Sequence, residues 1–521
     1  MKSHRSDMPD ILPPLPLYNR ATLQRVEHQH KDDALMQRAA VAAAEWASQL
    51  RAGRENDPIL FLAGPGNNGG DAITCATLLR RAGVPVVAVF TGRGRPLPPD
   101  ADAACQQFIA AGGKFLVDIP PHTGWSLIVD GLFGIGLSKP PQDEYARLIV
   151  EINRLAHEQG CPILALDCPS GLDADTGFAH PPTVDATHTL TFIAAKPGLY
   201  TADGPDHCGE IRIADLDLDI SAQAPKESAF FPPDGHTLEV AAFAHCLAPR
   251  RANTHKGSYG NVGILGGATA MQGAVLLAGH AALKLGAGKV FVGMLDAKSV
   301  DYTQPELMLR QAPRIFDIHL QALVCGPGMG LVGQARDLLP RALAAQTPLL
   351  LDADALTLLT IIPSLTQRLE SQIRQRREQG FPTLLTPHPA EAARLLATTP
   401  LAIQENRLES ARELARRFQA WVVLKGCGSI VSSPEGRWWI NRSGNPGMAG
   451  PGFGDTLTGF IAALLGQGWP AGEALLAAVH LHGKAADDLV AAGVGPVGLT
   501  ASEIIDAARL RFNRWLRRDF T

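Results

Sequence analysis

Asp455 closes the run Asn445-Pro446-Gly447-Met448-Ala449-Gly450-Pro451-Gly452-Phe453-Gly454 and opens an apolar helical pattern over 456–465. Backbone N–H groups between Gly452 and Asp455 can point at a phosphate. A carboxylate in that place can take the proton from an attacking hydroxyl. Helix capping alone would also account for Asp455. It would not account for so long a glycine run alongside further loops of the same kind after apolar strands. Those loops are Gly326-Pro327-Gly328-Met329-Gly330, Asp352-Ala353-Asp354-Ala355, Pro387-His388-Pro389-Ala390-Glu391 and Lys425-Gly426-Cys427-Gly428-Ser429. A lone histidine such as His388 is more often structural, but prolines on both sides of it after a strand make it more suggestive.

The first half carries a second constellation. Gly64-Pro65-Gly66-Asn67-Asn68-Gly69-Gly70-Asp71 follows the apolar run 59–63 and precedes a helical pattern over 71–81. Glycines free the backbone to approach a ligand, and amides at a helix start favour anions. Asp130 leads into Gly131-Leu132-Phe133-Gly134-Ile135-Gly136-Leu137, and Asp167 leads into Cys168-Pro169-Ser170-Gly171-Leu172-Asp173. Either aspartate alone reads as a cap or turn residue. In an open parallel sheet, ligands bind outside the carboxyl ends of the strands, so these loops would converge on one crevice.

The positioning elements follow from periodicity. Strands are expected over 59–63, 84–90, 126–129, 162–166 and 187–193, with helices over 21–50, 71–81 and 144–157. Strands alternating with helices predict a parallel sheet covered on both faces. The pattern fails over 221–236, where Pro225, Pro232, Pro233 and Gly235 cluster. This stretch reads as a linker between domains of residues 1–225 and 236–521. A second α/β series follows, with strands over 261–265, 289–294, 322–325, 348–351, 383–386, 420–424 and 429–431. Its helices are expected over 274–285, 455–465 and 473–492.

Composition bounds the rest. The chain has 521 residues, 46% hydrophobic and 19% charged, with 52 glycines, which is globular. A net charge of −4 argues against a nucleic-acid binder. No apolar stretch is long enough for a membrane span, and residues 1–18 lack the apolar segment of a secretory leader. Eight scattered cysteines read as buried free thiols in a reducing compartment, so the cytoplasm is expected. His480-Leu481-His482 reads as a helix-surface or packing pair rather than a metal site, and 374–378 as a solvated helix face. Trp438-Trp439 reads as part of a strand with at least one ring in the core.

The first constellation resembles the NAD(P)HX epimerase family over about residues 20–220. The family's NNGGDG motif stands here as Asn67 to Asp71, followed by Ala72 in place of glycine. Its Asp-Gly-x-x-Gly-x-Gly run matches Asp130 to Gly136, its Asp-x-Pro-Ser-Gly run Asp167 to Gly171, and its Lys-Pro-Gly the triplet Lys196-Pro197-Gly198. The second half resembles the ribokinase-like NAD(P)HX dehydratase family over about residues 240–515, through His255-Lys256-Gly257-Ser258-Tyr259-Gly260, Gly273-Ala274, Thr386 to Glu391 and Asn445 to Asp455. Gly450-Pro451-Gly452 stands where the family has Thr-Gly-Gly, so one N–H donor is lost. The implied fold is a Rossmann-like parallel-sheet domain followed by a ribokinase-like α/β domain.

The resemblance implies repair of hydrated NAD(P)H. The first domain would interconvert the epimers, and the second would dehydrate the S form with ADP or ATP and Mg²⁺, ADP being favoured. It implies K⁺ on Asn68, Asp130 and Ser170. Substrate contacts would come from Asn67, Asn68, Gly69, Gly70, Asp71, Gly134, Ile135, Gly136, Leu137, Ser138, Lys139, Pro140, Tyr145 and Asp167. In the second domain they would come from Ala274, Gly328, His388 and Asp455. The nucleotide would lie on Lys425, Gly426, Cys427, Gly428, Ser429 and Gly454. Asp167 and Asp455 would be the catalytic carboxylates. A small-molecule kinase of a vitamin precursor or sugar is the alternative for the second domain, and a non-catalytic binding role the alternative for the first. ADP against ATP, NADHX against NADPHX and homo-oligomerisation stay open.

Overall fold

Ile59–Ala63 reads ILFLA, and all its residues are buried. A strand apolar on both faces needs helices over both, as in a parallel sheet. The computed structural model describes residues 11–31, 33–121, 124–137, 139–220, 230–297, 299–361 and 363–520. It divides into two compact units: Pro16–Gly235, and His236–Thr521 together with the segment that ends at Leu15. Leu15 joins the second unit through its backbone, which exchanges hydrogen bonds of 2.9 Å each with the amide and hydroxyl of Thr237.

In the first unit the 7-stranded sheet runs Phe115–Leu116, Val86–Phe90, Ile59–Ala63, Leu127–Gly131, Ile163–Leu166, His188–Phe192, Glu210–Ala214. Every neighbouring pair is parallel. The chain therefore winds outward in one direction from Ile59–Ala63 and in the other from Leu127–Gly131, the doubly wound arrangement. Helices on the faces bury one stripe each. Asp143–Gln159 buries Leu148, Ile149 and Ile152 and stops at Gly160, whose φ of 57° suits glycine. The helical stretch expected over 21–50 is two helices, Arg20–Gln29 and Leu35–Leu50.

In the second unit the order from Gly235–Leu238 is Trp438–Asn441, Ile430–Ser432, Trp421–Leu424, Thr383–Leu385, Leu349–Leu351, Ala322–Cys325, Asn261–Gly266, Lys289–Met294, Met308–Gln311. The pairings from Met308–Gln311 through Trp421–Leu424 are parallel. Ile430–Ser432 is antiparallel to both its neighbours. Helix Phe453–Gly466 crosses Gln272–Lys284 closely, because a Cβ at Gly459 would lie 2.3 Å from the Ala278 carbonyl oxygen.

Four expectations need correction. The linker expected over 221–236 ends in the strand Gly235–Leu238, while 221–229 lie outside the described residues. Cys427 is exposed and Cys246 half-buried, so not every thiol is buried. Of the two roles expected for His480 and His482, packing holds and helix surface does not. Burial, with Lys484 and Lys425 respectively adding to it, lowers each to about 3. His480 packs with Phe243 and Trp515, and His482 with Phe453 and Phe460.

The fourth correction is Arg376. Its neighbours Arg374 and Arg377 are solvated as expected, but Arg376 is 3% exposed. It donates to Leu343 O at 3.0 Å, Thr347 O at 2.5 Å, Thr383 Oγ1 at 3.0 Å, and also to Ala345 O. Leu343 O belongs to the last turn of helix Gln334–Ala344, where the helix itself supplies no donor, and Ala345 O and Thr347 O lie in the chain just beyond it. Arg376→Met is expected to cost about 2–4 kcal/mol by leaving them unpaired. Urea titration of the full chain checks this, and an unchanged midpoint for the second unit would contradict it.

Candidate active sites at two sheet switch points

Ala63 pairs with Gly131, so the loops that leave these strand ends diverge and open a crevice. The glycines there are needed for close approach. A Cβ at Gly64 would lie 2.0 Å from Leu132 O, and one at Gly69 would lie 1.9 Å from Gly64 O. The helix starts at Asn67, earlier than the expected 71, which puts Asn67 to Gly70 in its first turn and Asp71 just after it. The first amides of that turn lack helical acceptors and are available to an anion. Ala72 replaces a glycine of the motif without strain because Gly131 beside it is bare: a Cβ there would come within 2.5 Å of the Ala72 methyl.

Asn68, Asp130 and Ser170 meet around Phe133. Asn68 Nδ2 donates to Phe133 O at 2.9 Å, which leaves its Oδ1 buried and without a partner. Ser170 Oγ accepts from Phe133 N at 2.9 Å and donates to Asp130 Oδ1 at 2.7 Å. Asp130 also accepts from Ser170 N at 2.8 Å and Leu132 N at 3.1 Å. Its exposure is 0%. Burial pushes it up to about 6 although these hydrogen bonds pull it down.

Asp167 sits at φ 66°, a strained conformation for aspartate. Its Oδ2 accepts from Ile135 N at 3.1 Å, and its Oδ1 pairs with Lys196 Nζ at 2.6 Å. Lys196 is 1% exposed and donates also to Thr191 Oγ1 at 2.6 Å and Phe192 O at 2.8 Å. The three hydrogen bonds fix the ammonium and so fix the carboxylate. Burial, then the charges of Asp167, Glu27 and Asp100, holds Asp71 well above the usual carboxylate range. Glu27 is raised by burial and then by Asp167. Lys196 as the partner of Asp167 was not foreseen, although its triplet stood out in the sequence.

The other expected contacts are spread more widely. Gly134 lies against Asp167, since a Cβ there would come 2.8 Å from Oδ2. Gly136, Lys139 and Pro140 are exposed, Leu137 is buried, and Ser138 lies outside the described residues. Tyr145 packs on Phe133 at 4.7 Å between ring centroids, and its hydroxyl accepts from Arg95 at 2.9 Å.

The second unit repeats the logic. Its switch point lies between Asn261–Gly266 and Ala322–Cys325, where a Cβ at Gly266 would lie 1.9 Å from Pro327 O. Gly328, at φ 55°, sits against Met271 just before helix Gln272–Lys284, which carries the half-buried Ala274 in its first turn. Asp455 lies in the first turn of helix Phe453–Gly466, which starts after Gly452 at φ 86°. Burial, then the negative charge of Asp352, pushes Asp455 up to about 7 against the pull of Lys425.

Lys425 Nζ lies 3.0 Å from Asp352 Oδ1 and 3.2 Å from where a Cβ at Gly454 would stand. The loop after Lys425 is closed by Ser429 Oγ, which donates to Gly426 O at 2.9 Å, and Cys427 is exposed at its tip. His388 caps helix Pro389–Leu396. Its Nδ1 accepts from Ala390 N at 3.1 Å, and its own amide donates to Glu391 Oε2 at 2.8 Å. Burial pushes Glu391 up to about 7, with Lys425 opposing. The sequence marked Asp352 and Glu391 only as loop residues.

A family model described as NAD(P)H-hydrate dehydratase matches residues 262–509, and one described as YjeF-related protein N-terminus matches 32–198. The bifunctional NAD(P)H-hydrate repair enzyme Nnr of Escherichia coli (strain K12) is 36% identical over 456 residues, covering 85% of this chain and 83% of that protein. Its namesake in Coxiella burnetii is 35% identical over 499 residues, covering 94% and 96%. The crystal structure of an ADP/ATP-dependent NAD(P)H-hydrate dehydratase from Bacillus subtilis aligns at 29% identity with a TM-score of 0.47, over 54% of this chain and 98% of that one.

Proposed function

The chain belongs to the family of bifunctional NAD(P)H-hydrate repair enzymes, and from this we propose how its two sites divide the work. Residues 1–225 carry the epimerase and 236–521 the nucleotide-dependent dehydratase. The observation that carries this division is one carboxylate per unit with a lysine near it: Asp167 at a strand end, held by Lys196, and Asp455 at a helix start, acted on by Lys425.

In the hydrated cofactor a hydroxyl sits on a ring carbon next to nitrogen. Asp167 takes the hydroxyl proton, the C–N bond opens to an aldehyde, and closure on the other face returns the proton and gives the other epimer. Lys196 orients the carboxylate. The expected K⁺ fits Asn68, Asp130 and Ser170. Asn68 Oδ1 is an orphaned buried acceptor, and among the described residues no side-chain cation pairs with the Asp130 carboxylate. All of these are the hard oxygen donors such an ion takes, and when bound it would supply positive charge that organises the loops. Exchanging K⁺ for a quaternary ammonium ion is expected to slow epimerisation about tenfold or more in the natural chain, and to do little in Asn68→Ala, which starts slow. Equal rates of the natural chain in both salts would contradict the ion's role.

In the second unit Asp455 takes the proton of the same hydroxyl as its oxygen attacks the terminal phosphorus of ADP, supplied as the Mg²⁺ complex. The bond to AMP breaks, and AMP leaves with the electron pair. The ring nitrogen then expels phosphate as the C–O bond breaks, and loss of a proton from the adjacent carbon restores NAD(P)H. Phosphate leaves far more readily than hydroxide, which is why a nucleotide is consumed. ADP is preferred to ATP in this reading. The test is product analysis. NADH, AMP and phosphate are expected in equal amounts, and a stable phosphorylated product would replace this reading with a kinase.

The free cysteines fit a reducing cytoplasm. Among the described residues, no helix is long and apolar enough to cross a membrane.

A further inference from the structure

Asp352 follows the strand Leu349–Leu351 and is 1% exposed. The dehydration chemistry set out above gives it no role. A buried carboxylate is costly unless its oxygens are answered, and here both are. Oδ1 accepts from Lys425 Nζ at 3.0 Å, and Oδ2 from Thr458 Oγ1 at 2.8 Å. Thr458 stands on helix Phe453–Gly466, about one turn beyond Asp455. One carboxylate thereby ties the strand-end loop of Lys425 to the helix that carries the base.

The tie fixes where the ammonium points. Nζ lies against Gly454, at the open amides of the helix start, and the side chain of Lys425 keeps 20% of its exposure. The geometry points to Asp352 as a positioning residue for dehydration. Acting through Lys425, it holds positive charge at the place where a phosphoryl group accumulates negative charge during transfer. The inference rests on the dehydratase reading of this site.

The experiment uses the full chain with NADHX and the Mg²⁺ complex of ADP, and compares Asp352→Asn, Lys425→Met and their double variant. Asp352→Asn is expected to lower kcat about 100-fold while the KM for ADP changes less than about tenfold. The double variant is expected to be no worse than Lys425→Met within about threefold, because the carboxylate works only through the ammonium. A carboxylate that merely supports the fold would give effects that add in full, and that result overturns the inference, as does a wild-type kcat in Asp352→Asn. Should Asp352→Asn fail to fold, Thr458→Val removes the second anchor alone. It is expected to lower kcat about tenfold while the chain still folds with a melting temperature only a few degrees lower, and an unchanged kcat there overturns the inference. A natural chain that forms no NADH from NADHX and ADP defeats the dehydratase reading itself, and so is told apart from every variant result.

Discussion

Asp167→Asn is expected to lower epimerisation by about three orders of magnitude while dehydration of S-NADHX proceeds at its normal rate. Asparagine keeps the volume and can still accept from Ile135 N, so the loop over Gly134 and Ile135 stays in place. It cannot accept the hydroxyl proton. Both substitutions leave the buried Lys196 without a counter-charge, and alanine is the harsher choice because it also removes the acceptor for Ile135 N. Breaking such a pair costs about 3–5 kcal/mol, so Asp167→Ala is expected to melt earlier as well. Lys196→Met in the alanine background should restore the melting point without restoring activity. NMR exchange between the two epimers, measured without nucleotide, separates chemistry from folding. Normal exchange in Asp167→Asn would refute the assignment.

Asp455→Asn is expected to remove dehydration by a similar factor and to leave epimer exchange untouched. The natural site also carries a pH signature. As base, Asp455 must be ionised, and burial with the charge of Asp352 has moved it up to about 7. For dehydration, kcat/KM should therefore rise with pH and level off above neutrality, falling about tenfold per unit on the acid side. Glu391, also near 7, titrates in the same range. Both titrations contribute to the limb, and Glu391→Gln should leave only that of Asp455. A flat profile from acid to neutral pH would contradict a general base at this position.

Much of this was legible beforehand, because strands covered on both faces are written as unbroken apolar runs. Lys289–Met294 and Ala322–Cys325 begin and end where the periodicity places them. Asp130 and Asp167 were legible because each ends or follows such a run, and Asp455 because it closes a glycine run before an apolar helix. The short strands Phe115–Leu116 and Met308–Gln311 were not, since each sits at a sheet edge, the first only two residues long and the second half polar. Arg376 was misread because the charge run 374–378 looks alike along its length, whereas tertiary packing buries a single member. Lys196 and Asp352 were missed as partners for one reason. Each meets its counter-charge across the sheet, Lys196 at Asp167 and Asp352 at Lys425, and no spacing along the chain encodes that approach. Thr458, one turn past Asp455 in a largely apolar helix, gave no signal at all.

The most direct test gives the full chain a mixture of both NADHX epimers with ADP and Mg²⁺, and follows the near-ultraviolet absorbance of NADH to its end point. The natural protein should convert the whole mixture, Asp167→Asn should stop once the S epimer is spent, and Asp455→Asn should form none. An Asp167→Asn variant that consumes both epimers as fast as the natural protein would contradict the assignment of one reaction to each carboxylate.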